Sequence, residues 1–272
     1  MVSVSDIDST RLLEGCVEAV RAAGRHALDH WGRRTETVEV TAHDVKLALD
    51  LECQAAAAEA IRRLFPDHAM LGEERGLRER GEFVWIIDPI DGTVNFSHGL
   101  PIWATSVAVQ RRGHTLAGAV WLPEMGELYT ATSAGSAAMN GRRLSVSETS
   151  DLSAGIVYTG MVETEGDGGV SLRVTTRLAA AVRKLRILGS AAAELCYVAA
   201  GRGDGYVETT IHVWDLAAGA LLVERAGGRC EVLEDLGDYT LRFLATNGRI
   251  HEAARATILP ALEPDRHPDL TS

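Results

Sequence analysis

The segment that most constrains this chain is Phe83-Val84-Trp85-Ile86-Ile87, followed at once by Asp88-Pro89-Ile90-Asp91-Gly92-Thr93. A short unbroken apolar run predicts a strand buried on both faces. The aspartates predict an abrupt end to that strand, with Pro89 removing a backbone donor and fixing a turn. Carboxylates held close together in a turn destabilise each other unless a cation lies between them or one is protonated. Asp88 and Asp91 therefore predict a hard divalent ion bound through oxygens. Mg²⁺ fits, because it takes few protein carboxylates and keeps waters that a phosphate can replace. The Ile90 carbonyl can face the same ion. Gly92 lets a ligand approach the backbone, and if a helix follows, the amides near Gly92 and Thr93 form an anion site.

A strand buried on both faces needs layers on both sides, and the periodicity supplies them. Leu12, Leu13, Cys16, Val20, Ala23 and Ala27 predict a helix from about Ser9 to Trp31, with Ser9 as N-cap. A second helix is expected from Leu49 to Leu64, stopped by Phe65-Pro66. Between them, Glu36 to Val45 alternates β-branched and polar residues, which predicts a strand or an extended arm. Trp103 to Val120 and Tyr129-Thr130 read as antiparallel strands between glycine turns. Asn140-Gly141 marks a tight turn, and the polar stretch that follows divides the chain into residues 1–145 and 146–272. The second part alternates strands (Gly155–Thr159, Leu185–Leu188, Gly205–Glu208) with helices (Ser171–Val182, Ala191–Ala200, Asp215–Ala226), which predicts layered α/β structure. The tail from Pro260 to Ser272 holds three prolines and many charges and is expected to be loose.

Composition narrows the function. The chain of 272 residues carries 27 Lys and Arg against 38 Asp and Glu, a net charge of −11, which argues against binding a nucleic-acid polymer. A small phosphorylated substrate then needs local positive charge, which a bound metal supplies. Aromatics are only 5% of residues, so the core must be aliphatic and alanine-rich. Cys16, Cys53 and Cys196 sit among aliphatic residues and read as buried reduced thiols; with Cys230 they form no CxxC pair, which predicts a cytoplasmic compartment. The start MVSVSDIDST has neither a basic nor an apolar region, so no signal peptide is expected. No apolar run approaches the ~20 residues of a membrane span.

Two further acidic segments accompany the first: Leu71-Gly72-Glu73-Glu74-Arg75-Gly76 and Trp214-Asp215-Leu216-Ala217-Ala218-Gly219. Taken alone, Glu73 and Glu74 read as a solvated loop, Asp215 as a helix N-cap, Trp214 as packing, and Asp50 as an acidic residue early in a helix. Together and in this order, GEE, DPIDGTVNF and WDLAAG resemble the inositol monophosphatase family of Mg²⁺-dependent, lithium-sensitive phosphatases, over a span from about Val38 to Gly228. The resemblance implies a mixed α+β chain folded as a layered αβαβα sandwich, with the metals at the junction of its halves. It implies two or three Mg²⁺ per site and a homodimer. Glu73, Asp88, the Ile90 carbonyl and Thr93 would surround a first metal and the attacking water. Asp88, Asp91 and Asp215 would hold a second, and Glu73 would help a third. Asp50, paired with the Thr93 hydroxyl, would help activate the water. Asp91, Gly92, Thr93 and Asp215 would also border the substrate, Gly189-Ser190-Ala191 would contact its polyol, and Glu208 would accept bonds from its hydroxyls.

The resemblance implies hydrolysis of a phosphate monoester on a small hydroxylated substrate, with myo-inositol 1-phosphate leading. Histidinol phosphate, fructose 1,6-bisphosphate and 3′-phosphoadenosine 5′-phosphate are alternatives, the last drawing on Arg183, Lys184 and Arg186. A metal-binding scaffold without catalysis is the rival from another class. One departure stands out: Leu47 occupies the position three before Asp50 where the family usually has threonine, which puts the hydrogen bonding around Asp50 in doubt. The adjacent Lys46 is expected on the surface.

Overall fold

The apolar run at residues 83–87 is explained by what lies on either side of it. The computed structural model describes residues 9–40, 45–161 and 169–262. Helices α1 (Ser9–Asp29) and α2 (Ala48–Leu64) form the first layer. Leu12, Cys16, Ala19, Val20, Ala23 and Ala27 make the buried stripe of α1. The helix ends at Asp29, and a 3₁₀ turn, Trp31–Arg33, replaces the last residues that periodicity assigned to it. The arm between the helices is a pair of short antiparallel strands, β1 (Thr37–Val40) and β2 (Val45–Leu47). An added methyl at Gly24 would lie 2.6 Å from the Trp121 ring, so only glycine lets α1 approach the sheet this closely.

The second layer is a seven-stranded sheet running β3 (Ala69–Gly72), β4 (Phe83–Asp91), β5 (Ala104–Arg111), β6 (His114–Leu122), β7 (Glu127–Thr132), β8 (Ala138–Met139), β9 (Arg142–Arg143). The short helix α3 (Thr93–His98) joins β4 to β5. Only β3 and β4 pair in parallel. Asn140 and Gly141 turn β8 into β9 with φ of 48° and 78°, the left-handed pair that a two-residue hairpin requires. On β4, Trp85 and Ile87 enter the core beneath α1 and α2, while Ile86 enters the core on the other face.

After β9 the chain passes to a five-stranded sheet ordered β11-β10-β12-β14-β13. Its strands are β10 (Ile156–Thr159), β11 (Lys184–Arg186), β12 (Gly205–His212), β13 (Arg229–Gly237) and β14 (Thr240–Thr246). Helices α5 (Ala191–Ala199) and α6 (Val213–Arg225) lie between the two sheets, where Leu195, Val198, Leu221 and Leu222 share one core with Ile86 and Val120 of the first sheet and Tyr206 and Phe243 of the second. Helices α4 (Val170–Ala181) and α7 (His251–Leu262) cover the outer face through Val174, Leu178, Ala254 and Ile258, with Ile250 just before α7 in the same core. The result is the αβαβα sandwich. Cys16, Cys53 and Cys196 are buried and unpaired, and Cys230 is half-buried. Among the described residues no helix is long and apolar enough to cross a membrane.

Two expectations need correcting, and one segment carried no expectation. The strand does not stop at Asp88 but runs on to Asp91. The polar stretch after Gly228 forms β13, an edge strand whose Arg229, Glu234 and Asp235 are exposed, which hides its pairing from an apolar pattern. The tail is still helical at Pro260, which lies inside α7; the rest of it, residues 263–272, lies outside the described residues.

Candidate active site

Two aspartates three apart on a regular strand point to opposite faces. Here they do not. β4 pairs Asp88 with Ser106 and Asp91 with Ala104, so three steps on β4 match two on β5. This is a β-bulge, and the extra residue brings Asp91 back to the face of Asp88. Pro89 is tolerated because a bulge leaves a backbone group out of the ladder. β12 carries a second bulge: Glu208 pairs with Phe243 and Ile211 with Leu241. It turns Glu208 and Ile211 to a common face in the same way.

The N-terminus of α6 completes the cluster. Its N-cap is His212, not Asp215. Asp215 sits one turn further in, where its Oδ2 accepts the His212 N–H at 2.9 Å. One oxygen each from Asp88, Asp91 and Asp215 lies within 4.8 Å of the others. Glu73 follows β3, anchored by its N–H to the Ile87 carbonyl at 3.1 Å. Glu73, Asp88, Ile90, Asp91, Gly92, Thr93, Gly189, Ala191 and Asp215 line one cleft of about 200 Å³. Asp50, Ser190 and Glu208 are not on its lining.

The electrostatics of the cluster are unfavourable without a cation. Burial, then the charges of Glu73, Asp91 and Asp215, pushes Asp88 well above the usual carboxylate range. Asp215 is raised by burial and then by Glu73 and Asp91. Asp91 is pushed up to about 6 by burial, against hydrogen bonds from Ser190 and the first amides of α5. Asp88 Oδ1 is buried without a hydrogen-bond partner. Acceptor-only oxygens converging around a buried orphan oxygen fit a hard divalent cation and leave it room for water.

The flanking residues are placed as follows. Gly92 has φ of 87°, and a methyl there would stand 2.9 Å from the Gly189 carbonyl. The Thr93 hydroxyl donates to the Ile90 carbonyl at 2.9 Å. Ser190 caps α5 and donates its hydroxyl to Asp91 Oδ2, which also accepts from Ala192 N at 2.8 Å, while Oδ1 accepts from Ala191 N at 3.2 Å. Glu208 is buried against Gly160, accepts from Tyr206 and the Thr209 amide, and is pushed up to about 7 by burial. Asp50 is buried in the first turn of α2, and its Oδ2 accepts the Leu47 N–H at 2.7 Å. Leu47 is the N-cap and its side chain lies in the core, so that helix start is held by Asp50 and not by a capping hydroxyl. Lys46 is not solvated as expected: it is half-buried, 3.5 Å from the buried Glu74.

Sequence reasoning assigned no role to several neighbours. Asn95 ties α3 to the Leu188 and Ile102 carbonyls at 2.7 and 2.8 Å. Glu194 accepts the Leu188 N–H at 2.7 Å. Gln54 accepts the Glu74 N–H at 2.9 Å, lying where a side chain at Gly72 would be. Arg78 stacks on Trp214 and Tyr239, with ring distances of 4.8 and 5.4 Å, and joins the Glu73 loop to the start of α6. Asn95 lies inside the DPIDGTVNF motif, a signal that was present; the others carry none.

The comparisons with known proteins agree with this geometry. The model of the inositol monophosphatase family matches residues 8–266. A Thermotoga maritima protein named fructose-1,6-bisphosphatase/inositol-1-monophosphatase is 36% identical over 88% of this chain and 93% of its own. A Pasteurella multocida protein named Nus factor SuhB is 36% identical over 80% of this chain and 83% of its own. The structure of an inositol monophosphatase from Anabaena (Nostoc) sp. PCC 7120 superposes with a TM-score of 0.82 at 33% identity, covering 95% of this chain and 98% of that one. An αβαβα sandwich with an acidic cleft between its halves thus defines a class of phosphatase acting on phosphomonoesters. The chain belongs to the inositol monophosphatase family.

Proposed function

We propose that this protein hydrolyses the phosphate monoester of a small polyol or sugar, with myo-inositol 1-phosphate as lead substrate, and uses two or three Mg²⁺ to do so. The observation that carries the reading is the convergence of Asp88, Asp91 and Asp215 around a buried oxygen without a partner. Glu73, Asp88, Asp91, Asp215 and the Ile90 carbonyl would hold the ions. When bound, Mg²⁺ offsets the charge on the phosphoryl group and promotes the attack of water on phosphorus.

The chain's own residues do the rest. Gly92 and Gly189 both line the cleft, and the absence of a side chain at Gly92 lets the two segments pack closely there. Thr93, with its hydroxyl fixed on Ile90, orients water and works with Asp50 and Glu73 to take up its proton. As the ester P–O bond breaks, the leaving oxygen takes up a proton in place of the one the water gave up, so that an alcohol and inorganic phosphate are released. Gly189 and Ala191, which line the cleft, would lie under the polyol with Ser190 held behind them on Asp91, and Glu208, beyond the lining, would accept bonds from its hydroxyls. A carboxylate there suits a polyol better than an apolar leaving group. Family membership supports inhibition by lithium and a homodimer, and the buried unpaired thiols support a cytoplasmic location.

The test is phosphate release with and without Mg²⁺ and lithium from inositol 1-phosphate, histidinol phosphate, fructose 1,6-bisphosphate and 3′-phosphoadenosine 5′-phosphate. Mg²⁺-dependent turnover highest on inositol 1-phosphate is the expected result. Equal silence on all four, with Mg²⁺ bound, overturns the reading in favour of a scaffold without catalysis.

A further inference from the structure

The backbone of Leu188 is held from both sides, at its carbonyl and at its N–H. From the first half of the chain, the Asn95 amide group spends its two hydrogens on the Ile102 and Leu188 carbonyls, at 2.8 and 2.7 Å. From the second half, the Glu194 carboxylate accepts the Leu188 N–H at 2.7 Å. Glu194 is only 2% exposed, so this bond is made away from water. Gly189 follows with φ of 78°, a left-handed turn that presents the next residue to Asp91. That residue is Ser190, and through it and the amides of Ala191 and Ala192 both oxygens of Asp91 receive donors.

Asp91 needs this support. It is buried beside two like charges, and a free carboxylate there would rotate away from them. The donors come from the start of α5, where the helix dipole adds to their effect. They act only while α5 stays against the end of β4. Asp91 and Asn95 lie four residues apart, so one short segment grips the 188–192 segment at two points. Glu194 holds the same segment from within α5.

We propose that Asn95 and Glu194 are positioning residues for Asp91: by clamping the carbonyl and the N–H of Leu188 they keep Ser190 and the α5 amides on the Asp91 carboxylate and so set the protein's affinity for divalent metal. This rests on the reading of Asp91 as a metal ligand. Groups that orient a ligand in this way are typically worth 10–100-fold in metal affinity.

The test is Mg²⁺ titration calorimetry on substrate-free protein, with thermal melts as the check on folding. Asn95→Ala and Glu194→Ala are each expected to weaken Mg²⁺ binding about tenfold or more. Glu194→Gln is expected to stay within about threefold of wild type, because the carboxamide oxygen accepts the same N–H. Adding Ser190→Ala to Asn95→Ala should cost little more than Asn95→Ala alone, since both act on one carboxylate. If Asn95→Ala does not fold, Asn95→Ser, which keeps one donor, carries the same prediction at smaller size. Wild-type affinity in folded Asn95→Ala overturns the inference while leaving the metal reading intact. So does equal weakening by Glu194→Gln and Glu194→Ala, or full additivity with Ser190→Ala. Wild-type protein that takes up no Mg²⁺ overturns both.

Discussion

The Glu208 carboxylate lies directly over Gly160, so close that even a methyl group at residue 160 would overlap its oxygens. Gly160 does not have the positive φ that would demand glycine for backbone reasons. The space is what demands it. Gly160→Ala is therefore expected to displace the Glu208 side chain while leaving β4 and the acidic cluster alone. Losing one or two hydrogen bonds to substrate hydroxyls raises KM about tenfold. The Mg²⁺ dependence should not move. Steady-state kinetics at varied substrate and varied Mg²⁺ separates the two, and an unchanged KM would remove Glu208 from the substrate site.

The same carboxylate gives a pH signature. Burial raises Glu208 from an ordinary value of 4.5 to about 7. The folded state thus holds a proton that the unfolded state releases between these values. Stability from this group is fully present below the unfolded value and is lost as pH rises through the folded one. Glu208→Gln keeps the shape and removes the titration. Relative to wild type it should gain stability between pH 4 and pH 8, by on the order of 3 kcal/mol. Urea melts of both proteins at the two pH values measure this double difference; a constant offset would mean that Glu208 is ordinary.

Removing one carboxylate from the cluster should trade function for stability. Asp88 is buried among like charges and has an oxygen without a partner. Asp88→Asn relieves the repulsion, so in chelator the variant should melt higher than wild type by about 2–6 °C. Added Mg²⁺ should stabilise wild type strongly and the variant hardly at all. Turnover should fall about a hundredfold or more at saturating Mg²⁺, and likewise in Asp91→Asn. A variant that melts lower in chelator would show that Asp88 supports the fold rather than strains it.

The parts of the site legible in the sequence were those whose chemistry is local. The apolar run 83–87 exposed β4 because both of its faces are buried. Asp88 and Asp91 marked the cluster because paired carboxylates at the end of an apolar strand need a cation, whereas Glu73 and Asp215, which alone read as a loop and a helix cap, joined them only through the resemblance of the three motifs. The bulge at Pro89 was not legible: a missing donor is equally at home in a turn, and only the register against β5 tells the two apart. Glu194 reads as an ordinary helical glutamate until its partner is known, and the carbonyl that Asn95 grips lies ninety-three positions away. β13 was lost because its exposed charges mask the period of two.

The departure at Leu47 supplies a last prediction, decided by two opposing terms. A threonine at this N-cap would supply the missing acceptor for the first turn of α2, worth about 1 kcal/mol. It would also empty a site in the core, because the Leu47 side chain is 1% exposed and belongs to the core beneath the first helical layer. Trimming a buried leucine costs about 2–5 kcal/mol. The second term wins, so Leu47→Thr should lower stability by about 1–3 kcal/mol in urea melts, less than Leu47→Ala does. Turnover per folded molecule should stay close to wild type. Asp50 is held by the backbone N–H of residue 47 at 2.7 Å, a bond that does not depend on which side chain is attached. A tenfold or greater change in kcat would instead mean that the side chain at position 47 governs how Asp50 meets the attacking water.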